Sequence, residues 1–595
     1  MERSFDQDEV VMQPFDKTQF IRILRYLIPQ KKAVAAAAVL MCISAVAAQF
    51  GPYFFKIAID QAIPQRDLKL IDLLGLGYLS LAFVNWLCAY GRTLIMSRAG
   101  QSVLYDMRKQ LFDHLQSLSF RFYDSRPAGK IMVRITSDVN TLNQLLTNGV
   151  VNMVAEVFNL LVIVLLMLSM HTKLALLSFS ILPALAVFAL KLRPEIQRRW
   201  YNVRLKLSTI NAYLNESIMG MRITQAFTRQ ERNQEYFQEL NGSLLSSSIR
   251  AIKLNALFMP TFEIVAAVGT GLVLWYGTGM IRTGGLTVGI LVAFLNYLWR
   301  FWVPINMLAE FYTQIQTAMA SAQRVFEILD TKPEIKNAPC AMALPPIKGQ
   351  VSFEHVDFGY DPGQAVLHDF TLKVKPGQTI ALVGPTGAGK TSIINLLTRF
   401  YDPQGGRIAI DGVDIKKVTL ESLRSQIGIV LQDTFIFSGP IKENLRYGKL
   451  DATMQEIIRA AKIANAHEFI MNFPAGYDTE VEERGSKLSV GQRQLLSFAR
   501  ALLLDPAILI LDEATSSIDT ETELLIQQAL TRLLAGRTSF VIAHRLSTIQ
   551  NADRIVVIDH GRIAEQGTHR QLLQQGGIYR NLCAAQLKPG LVGVS

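Results

Sequence analysis

The chain has 595 residues, 50% of them hydrophobic, and its mean hydropathy of +0.23 is high for a soluble protein. Its formal net charge is +11, which in general fits either nucleic acid or a membrane surface as a partner. The basic residues lie between long apolar runs, and this placement favours a membrane and argues against nucleic acid. The four cysteines have no CxxC spacing, so neither a disulfide framework nor a zinc site is indicated.

The N-terminal part of the chain combines a polar tail with apolar runs. Five acidic residues lie within positions 1–20, so this segment is interpreted as an acidic tail and not as a signal peptide. The apolar runs that follow are long enough to cross a hydrocarbon layer roughly 30 Å thick as helices. Six membrane-spanning helices are predicted, near residues 33–57, 70–95, 147–169, 172–191, 254–280 and 285–308.

The charges between these runs predict their orientation. Lysine and arginine are concentrated between the second and third spans and between the fourth and fifth, whereas SMHTK and IRTGG form short turns. Positively charged residues stay on the cytoplasmic side of a membrane. Both termini and both long connections are therefore predicted to be cytoplasmic, in a multi-pass protein of the cell membrane. Helical spacing of apolar residues in the connections indicates that the spanning helices extend into the cytoplasm.

A phosphate-binding motif lies in the C-terminal half. The segment GPTGAGKT at 384–391 follows an apolar strand, TIALV, and opens a helix, TSIINLLTRF. In this context the glycines let backbone N–H groups wrap around phosphate oxygens, so the motif indicates a nucleotide site. Lys390 is expected to reach the β- and γ-phosphates, and the Thr391 hydroxyl to bind Mg²⁺. The predicted phosphate-binding residues are Gly384, Pro385, Thr386, Gly387, Ala388, Gly389, Lys390, Thr391 and Ser392.

Three further apolar strands end in polar residues: IGIVLQ at Gln432, AILILDE at Asp512 and Glu513, and SFVIAH at His544. Ligands of a parallel sheet lie beyond the carboxyl ends of its strands, so these side chains are expected to converge on the phosphates. Asp512 is predicted to bind Mg²⁺, Glu513 to act as general base for the attacking water, and His544 to contact the γ-phosphate. Taken alone, each has another interpretation: Gln432 as a capping residue, Asp512 and Glu513 as a surface acid pair, and His544 as a structural histidine.

The composition changes after residue 311, and a proline-rich segment precedes alternating short strands and amphipathic helices. The predicted fold is a membrane α-helical domain with six transmembrane helices and long cytoplasmic extensions, fused to an α/β P-loop nucleotide-binding domain. The predicted divisions are an acidic tail at 1–20, a transmembrane domain at 21–325, a linker at 326–349, a nucleotide-binding domain at 350–585 and a C-terminal tail at 586–595.

Six spans followed by one nucleotide domain resemble an ATP-binding cassette (ABC) exporter half-transporter, over about residues 18–585. The resemblance implies ATP and Mg²⁺ as cofactors and a dimer as the working form. It implies that Tyr360 in FGYDP stacks on adenine and that Gln432 is a lid residue that binds Mg²⁺ and senses the membrane half. Asp519, at the end of SSID, corresponds to the loop that links the two nucleotide sites across the dimer.

The segment LSVGQ at 488–492 resembles the family signature LSGGQ, which closes on the ATP of the opposite subunit. Ser489, Gly491 and Gln492 are its implied nucleotide contacts, while Val490 places a β-branched side chain beside the phosphate and disfavours a positive φ. This departure concerns only what the chain supplies to a partner. It favours a heterodimer in which the partner is a different half-transporter with a degenerate Walker site, and a homodimer that tolerates valine is the alternative.

Three other segments complete the resemblance. TEVEERG at 479–485 corresponds to a contact loop between subunits, in which Glu482 replaces the expected glycine. The membrane connections are expected to meet the nucleotide domains through turns near FYDSRPAGK at 122–130 and NESIMGMR at 215–222.

The spans contain few polar groups, which favours hydrophobic or amphipathic compounds such as drugs as substrate, moved by alternating access. Glu156 or Glu263 is a candidate for recruiting cationic amphiphiles, and an interhelical hydrogen bond or a pairing with Arg300 is the alternative. A homodimeric flippase for lipid or lipid A is the second hypothesis, and an ATP-gated channel or regulatory membrane protein and a peptide exporter are less favoured. A bacterial inner membrane is the expected location, with membrane lipid as a further partner.

Overall fold

A computed structural model describes residues 16–361, 363–432, 434–513, 520–543 and 549–587. Its residues form two compact units. The first unit contains the chain up to Leu115 together with Gly129–Asp330, and the second contains Gln116–Ala128 together with the chain from Thr331 onward. A short piece of the first long connection thus belongs to the same unit as the C-terminal half.

The described residues of the first unit form helices joined by short turns. Helix α4 (Leu68–Ser117) has 50 residues, which at 1.5 Å per residue makes it about 75 Å long, more than twice the thickness of a hydrocarbon layer. The predicted helical extension of the second span is therefore confirmed. The helices are α1 (Lys17–Arg25), α2 (Lys31–Gln49), α3 (Gly51–Ile57), α4 (Leu68–Ser117), α6 (Ala128–Val133), α7 (Val139–Gln144), α8 (Val150–Met170), α9 (Thr172–Phe179), α10 (Leu182–Met219), α11 (Met221–Ala226), α12 (Gln230–Ala256), α13 (Phe258–Arg282) and α14 (Val288–Asp330); α5 (Phe120–Asp124) belongs to the second unit.

Five helical stretches in the described part of the chain are long and apolar enough to cross a membrane. They contain the first three predicted spans and overlap the fifth and sixth, which were predicted to begin at 254 and 285. The fourth predicted span, 172–191, falls on α9 and the start of α10, where the chain turns at Ser180 and Ile181 and several side chains lie outside the described residues. The five stretches are Ile28–Ala62, Leu68–Ser117, Ala128–Met170, Glu263–Arg282 and Val288–Asp330.

The first span is broken at Phe50, between α2 and α3. Pro52 has no N–H, so the carbonyl of Ala48, four residues earlier, has no helical donor. The Arg300 guanidinium of α14 donates to this carbonyl. The Tyr297 hydroxyl, one turn earlier in α14, donates to the carbonyl of Gln49 at 2.7 Å. Side chains of α14 thus satisfy the backbone groups that the break leaves open.

A buried carboxylate ties α14 to the third span. Asp138 is 4% exposed and lies in a wide helical turn between α6 and α7. It accepts from Arg324 Nε at 2.8 Å and from the Ser321 hydroxyl at 2.9 Å. The charge of Asp138 is therefore compensated, as a buried carboxylate requires.

The second unit contains an antiparallel four-stranded sheet, in the order β2-β1-β4-β5, and a six-stranded sheet, in the order β12-β11-β3-β10-β9-β6. A two-stranded ribbon joins β7 and β8. The strands are β1 (Val351–Phe358), β2 (Leu367–Val374), β3 (Thr379–Val383), β4 (Gly405–Ile410), β5 (Val413–Asp414), β6 (Ile427–Val430), β7 (Gly439–Pro440), β8 (Glu480–Val481), β9 (Ile508–Glu513), β10 (Thr538–Ala543), β11 (Arg554–Asp559) and β12 (Arg562–Gly567).

Apart from the edge strand β12, the strands of the larger sheet are buried on both faces. In β9, Ile508 and Ile510 pack towards the four-stranded sheet, whereas Leu509 and Leu511 pack in the core that contains the helices. This alternation explains why the strand reads as a continuous apolar run in the sequence. The helices of this unit are α15 (Lys390–Leu397), α16 (Leu420–Arg424), α17 (Ile441–Arg446), α18 (Met454–Ile463), α19 (His467–Met471), α20 (Val490–Leu504), α21 (Thr520–Leu534), α22 (His569–Gln575) and α23 (Ile578–Leu587).

Candidate nucleotide-binding site

The phosphate loop connects β3 to α15, as the motif predicts. Its conformation requires glycine, because Gly384, Gly387 and Gly389 have φ values of 157°, 84° and 103°. A Cβ atom on Gly384 would also lie 2.2 Å from the carbonyl oxygen of Ile558. The glycines therefore let the backbone turn tightly at the end of a buried strand and begin a helix at Lys390.

Lys390 lies inside this loop and is only 9% exposed. Its Nζ atom donates to the carbonyl oxygens of Gly384 at 2.7 Å and of Pro385 at 2.9 Å. Burial lowers the pKa of Lys390, and attraction to Asp512 opposes this shift. The ammonium group is thus directed into the loop, close enough to the end of β9 to respond to the carboxylate there.

Of the three predicted polar strand ends, those of β6 and β9 lie within the described residues, at the edge of the sheet where the phosphate loop begins. β6, β9, β10 and β3 are parallel neighbours, and the register places Asp512 beside Ile542 and Glu513 beside Ala543. Gln432 follows β6 at the same edge and is exposed. The side chain of Glu513, and residues His544 and Asp519, lie outside the described part of the chain.

Tyr360, the predicted adenine-stacking residue, lies beside α15. Its hydroxyl is 3.1 Å from the Ser392 hydroxyl and accepts from Asn395 Nδ2 at 3.1 Å. Its ring packs edge-on against Phe358 and Tyr401, with centroid distances of 4.9 Å and 5.1 Å. The structure therefore brings Tyr360 to the phosphate-loop helix.

The signature segment begins α20 as a capping box. The Ser489 hydroxyl accepts from the Gln492 N–H at 3.1 Å, and the Gln492 side chain accepts from the Ser489 N–H at 3.0 Å. Val490 is the first residue of the helix and is 45% exposed, so this position needs no positive φ. The valine therefore causes no backbone strain here, and its effect on a bound phosphate is through its side chain alone.

The loop before the signature is closed by its own charges. The Glu482 carboxylate pairs with Lys487 Nζ at 2.7 Å and accepts from the Ser486 hydroxyl at 3.4 Å. The lysine lowers the pKa of Glu482. Where the resemblance implies a glycine, this chain therefore has a carboxylate that is paired within the loop.

Two family models match the chain. The model of the ABC transporter transmembrane region matches residues 34–302, and the ABC transporter model matches residues 367–516. An uncharacterized ABC transporter ATP-binding protein of Bacillus subtilis, YknV, is 47% identical over 584 residues, which cover 98% of this chain and 97% of that protein. This chain belongs to the ABC transporters.

Two further comparisons describe which ABC transporters resemble this one. An ATP-dependent lipid A-core flippase of Syntrophus aciditrophicus is 38% identical, over 96% of this chain and 95% of the flippase. The solved structure of a bacterial Atm1-family ABC exporter with ATP bound matches with a TM-score of 0.77 and 32% identity, over 94% of this chain and 99% of the exporter. This transporter is therefore a membrane-embedded ABC exporter of lipid or multidrug type, in which ATP hydrolysis drives transport.

The described residues fit Mg²⁺ beside ATP. They contain no group of three or more His, Cys, Asp or Glu side chains that could hold a metal ion. Mg²⁺ in nucleotide sites is bound by one or two protein groups together with phosphates and water. Thr391 is exposed at the start of α15, and Asp512 is near enough to attract the Lys390 ammonium. Thr391, Asp512 and the amide oxygen of Gln432 would hold the ion, which offsets phosphate charge when bound.

The sequence analysis missed a set of contacts that α5 makes with the nucleotide domain of the transporter. The Phe120 and Phe400 rings stack with centroids 5.1 Å apart. The Tyr401 hydroxyl donates to Asp124 Oδ2 at 2.5 Å, and burial together with this bond raises the pKa of Tyr401. In the sequence, only the turn FYDSRPAGK indicates that this region contacts the nucleotide domain, and no local pattern predicts which residues it contacts. The structure confirms that this connection contacts the nucleotide domain.

Arg121 connects α5 to Tyr360, the predicted adenine-stacking residue. Its guanidinium donates to the carbonyl oxygen of Tyr360 at 2.9 Å and pairs with Glu334 at 3.4 Å. We therefore expect Arg121→Ala to raise the KM for ATP about fivefold, because an exposed hydrogen bond contributes roughly 1 kcal/mol. Steady-state ATPase assays of the transporter in lipid measure this change, and we expect a larger effect on KM than on kcat.

Arg126 supplies the matched control for this variant. It lies in the same segment, and its guanidinium is 4.6 Å from the centroid of the Phe122 ring. Arg126→Ala is expected to keep the wild-type KM. Equal KM values for Arg121→Ala and Arg126→Ala would show that Arg121 does not position Tyr360.

Proposed function

We propose that this chain is one half of a heterodimeric ABC exporter that moves hydrophobic or amphipathic compounds out of the cytoplasm or the inner leaflet of a bacterial inner membrane. The observation that carries the proposal is the contrast between its two contributions to nucleotide sites. Its own phosphate loop is complete, with Lys390 buried in the loop and Asp512 near it. Its signature, offered to the partner, has Val490 where the family has glycine.

In this assembly the two composite sites differ. The competent site combines the phosphate loop, Asp512, Glu513 and His544 of this chain with the signature of the partner. Glu513 orients and deprotonates the attacking water, and His544 contacts the γ-phosphate. The second site combines the degenerate Walker residues of the partner with the Val490 signature and hydrolyses ATP slowly or not at all.

Closure of the nucleotide domains around ATP drives the membrane helices to the outward-facing state. ATP does this only because it binds the closed arrangement better than the open one. Hydrolysis at the competent site removes this preference and returns the transporter to the inward-facing state. Asp519 is placed between the two sites in the family arrangement and is proposed to relay their occupancy.

An exposed apolar tip supports a dimer. It is formed by residues in and around α11, between α10 and α12 in the middle of the second long connection, that are about two-thirds exposed or more in the single chain. Exposed apolar side chains clustered in this way are typical of an interaction surface. The members are Ile218 at 70%, Met219 at 82%, Ile223 at 66% and Phe227 at 72% exposure.

A homodimeric lipid flippase is the second candidate. It is favoured by the helical backbone of Val490 and by the intact capping box of Ser489 and Gln492, which leave the signature able to present its backbone N–H groups. The lipid A-core flippase among the relatives supports a lipid as substrate for this chain too.

Composition and activity of the purified protein separate the two candidates. An affinity-tagged chain is purified from its native membrane and, separately, from a host that lacks its neighbouring half-transporters. We expect the native preparation to contain a second half-transporter in equal amount and to hydrolyse ATP. We expect the chain alone to show no more activity than its Glu513→Gln variant. A stable, active dimer of the chain alone contradicts the heterodimer and favours the flippase.

Val490→Gly tests the role of the signature in the native pair. We expect total ATPase turnover within about twofold of wild type, because this signature serves the slow site and not the competent one. The measurement is ATP hydrolysis by the pair in lipid, with Val418→Ala, a buried change elsewhere in the nucleotide domain, as a control for general effects on folding. A collapse of turnover or a severalfold gain would show that the Val490 signature serves the competent site.

A further inference from the structure

The Arg300 guanidinium lies within a predicted membrane span, at the break between α2 and α3. Its Nη1 donates to the carbonyl of Ala48, which lacks a helical donor because Pro52 has no N–H. This bond fixes the position of the side chain. A carbonyl oxygen carries only a partial charge, so the hydrogen bond leaves most of the positive charge of Arg300 uncompensated.

No carboxylate in the described part of the chain forms an ion pair with Arg300, which donates to the carbonyl of Ala48. The two acidic side chains expected as partners are placed otherwise. Glu156 accepts from Asn159 Nδ2 at 3.4 Å, and Glu263 is exposed on α13. Ionisable groups at membrane depth face a cavity, or they pair with an opposite charge or with backbone carbonyls. Arg300 has the carbonyl of Ala48 as one partner, and among the described residues no carboxylate meets its remaining donors.

A cavity of about 150 Å³ lies against the guanidinium, between α2, α3, α4 and α14. A cavity needs only about 10–15 Å³ of space open to the centre of a water molecule to hold one, so this cavity has room for a carboxylate or phosphate group. Gly51 keeps this space open, since a Cβ atom there would lie 3.1 Å from the Tyr78 ring and 3.7 Å from Arg300 Nη2.

A second donor lines the same cavity. Asn85 on α4 accepts from the Ser44 hydroxyl through its Oδ1 atom at 2.5 Å. This bond orients the carboxamide and leaves its NH₂ group available to donate. The walls around the two polar groups are apolar and include Ala47, Leu81 and Ala82. A cation, an amide donor and apolar walls together match the head of an anionic amphiphile.

We propose that Arg300 and Asn85 bind the anionic head, a carboxylate or phosphate, of an amphiphile whose tail lies along the apolar surfaces of α2 and α4. The inference rests on the proposed function and names the substrate class as anionic. On α4, Phe83 and Trp86 follow the lining residues Ala82 and Asn85 in the chain and are exposed, so the same helix offers further apolar surface. Free fatty acids and bilayer phospholipids share this chemistry, and the experiment distinguishes them.

The test measures binding of radiolabelled palmitate to the purified full-length transporter in nanodiscs of phosphatidylcholine. Methyl palmitate, which has the same chain without the charge, is the matched ligand. We expect palmitate to bind saturably and about tenfold more tightly than its methyl ester. A second set of nanodiscs contains phosphatidylglycerol. If this lipid competes with palmitate, the natural head is a lipid phosphate. If it does not compete, the natural ligand is a free amphiphile. Equal binding of palmitate and its methyl ester overturns the proposal.

Variants separate charge from structure. Arg300→Gln is expected to lose the preference for palmitate, Arg300→Lys to retain most of it, and Arg282→Gln, at an exposed helix end, to leave it unchanged. If Arg300→Lys loses the preference as fully as Arg300→Gln does, the guanidinium is only a structural donor and the proposal fails.

The Arg300→Gln variant carries a risk of misfolding, because it weakens the bond to the Ala48 carbonyl. Pro52→Ala restores an N–H at the break, so the double variant Pro52→Ala/Arg300→Gln no longer needs the arginine for folding. We expect Pro52→Ala alone to keep the palmitate preference and the double variant to lose it. A double variant that keeps the preference overturns the proposal. Binding is measured without ATP, so a failure here is distinct from a failure of ATP-driven export.

Discussion

Glu513→Gln is expected to bind ATP normally and to lose hydrolysis by a factor of about 10²–10⁴, the usual contribution of general-base catalysis. Glu513 is the last residue of β9 and lies beside Ala543 of β10, at the edge of the sheet where the phosphate loop begins. The amide has the size of the carboxylate but cannot accept a proton from water. Binding survives because it depends on the phosphate loop and Lys390, which the change does not touch.

The measurement compares ATPase turnover with ATP binding in the same preparation. Asp505→Asn is the matched control, since it is the same chemical change just before the opposite end of β9. Asp505 has a φ of 48°, a left-handed conformation that asparagine also adopts, and its carboxylate pairs with Arg537 at 2.6 Å. Wild-type hydrolysis by Glu513→Gln would refute the assignment of the base, whereas Asp505→Asn is expected to keep its turnover.

Lys390→Ala is expected to weaken ATP binding by roughly 10²-fold or more, because each charge-assisted hydrogen bond contributes about 1.5–3 kcal/mol. The ammonium group is buried in the loop, where we expect it to contact the β- and γ-phosphates. The substitution also removes the bonds from Nζ to the carbonyls of Gly384 and Pro385, so the loop loses part of what fixes its conformation. Both effects lower affinity for nucleotide.

Titration with a fluorescent ATP analogue measures this loss. Lys375→Ala is the matched control, because Lys375 is an exposed lysine in the turn between β2 and β3, at the other end of the strand that leads to the phosphate loop. If Lys390→Ala bound the analogue as tightly as Lys375→Ala, the lysine would not contact the phosphates. Thermal unfolding of both variants shows whether the loop change also affects stability.

The centre of the second unit is predictable from local pattern. An apolar run that ends in a polar residue identifies a buried parallel strand and its functional edge. In the structure, β6, β9, β10 and β3 are neighbours in one sheet. The phosphate loop is equally local, because its glycines, lysine and threonine are contiguous. The capping box of Ser489 and Gln492 has a recognisable spacing too, although its function as a helix start was not drawn from the sequence.

Other features depend on residues that are far apart in the chain. At the break before Pro52, Tyr297 and Arg300 donate to the carbonyls of Gln49 and Ala48, which are 248 and 252 residues away in the chain. Hydrophobic periodicity does not predict such pairs. The same holds for Asp124 and Tyr401, which are 277 residues apart. The antiparallel sheet of β1, β2 and β4 likewise requires pairing partners that alternation alone does not specify.

The assignment of residues 116–128 to the second unit has a consequence for dissecting the protein. A soluble fragment that begins at Thr331 would contain the phosphate loop, the signature and every strand described above. It would nevertheless lack the segment that covers Phe400 and satisfies the Tyr401 hydroxyl. Such a fragment would carry an unsheltered aromatic patch next to Tyr360, and nucleotide affinities measured on it would belong to an incomplete fold. A fusion that supplies 116–128 through a flexible linker is the smallest version of this ATPase that retains all of its own contacts.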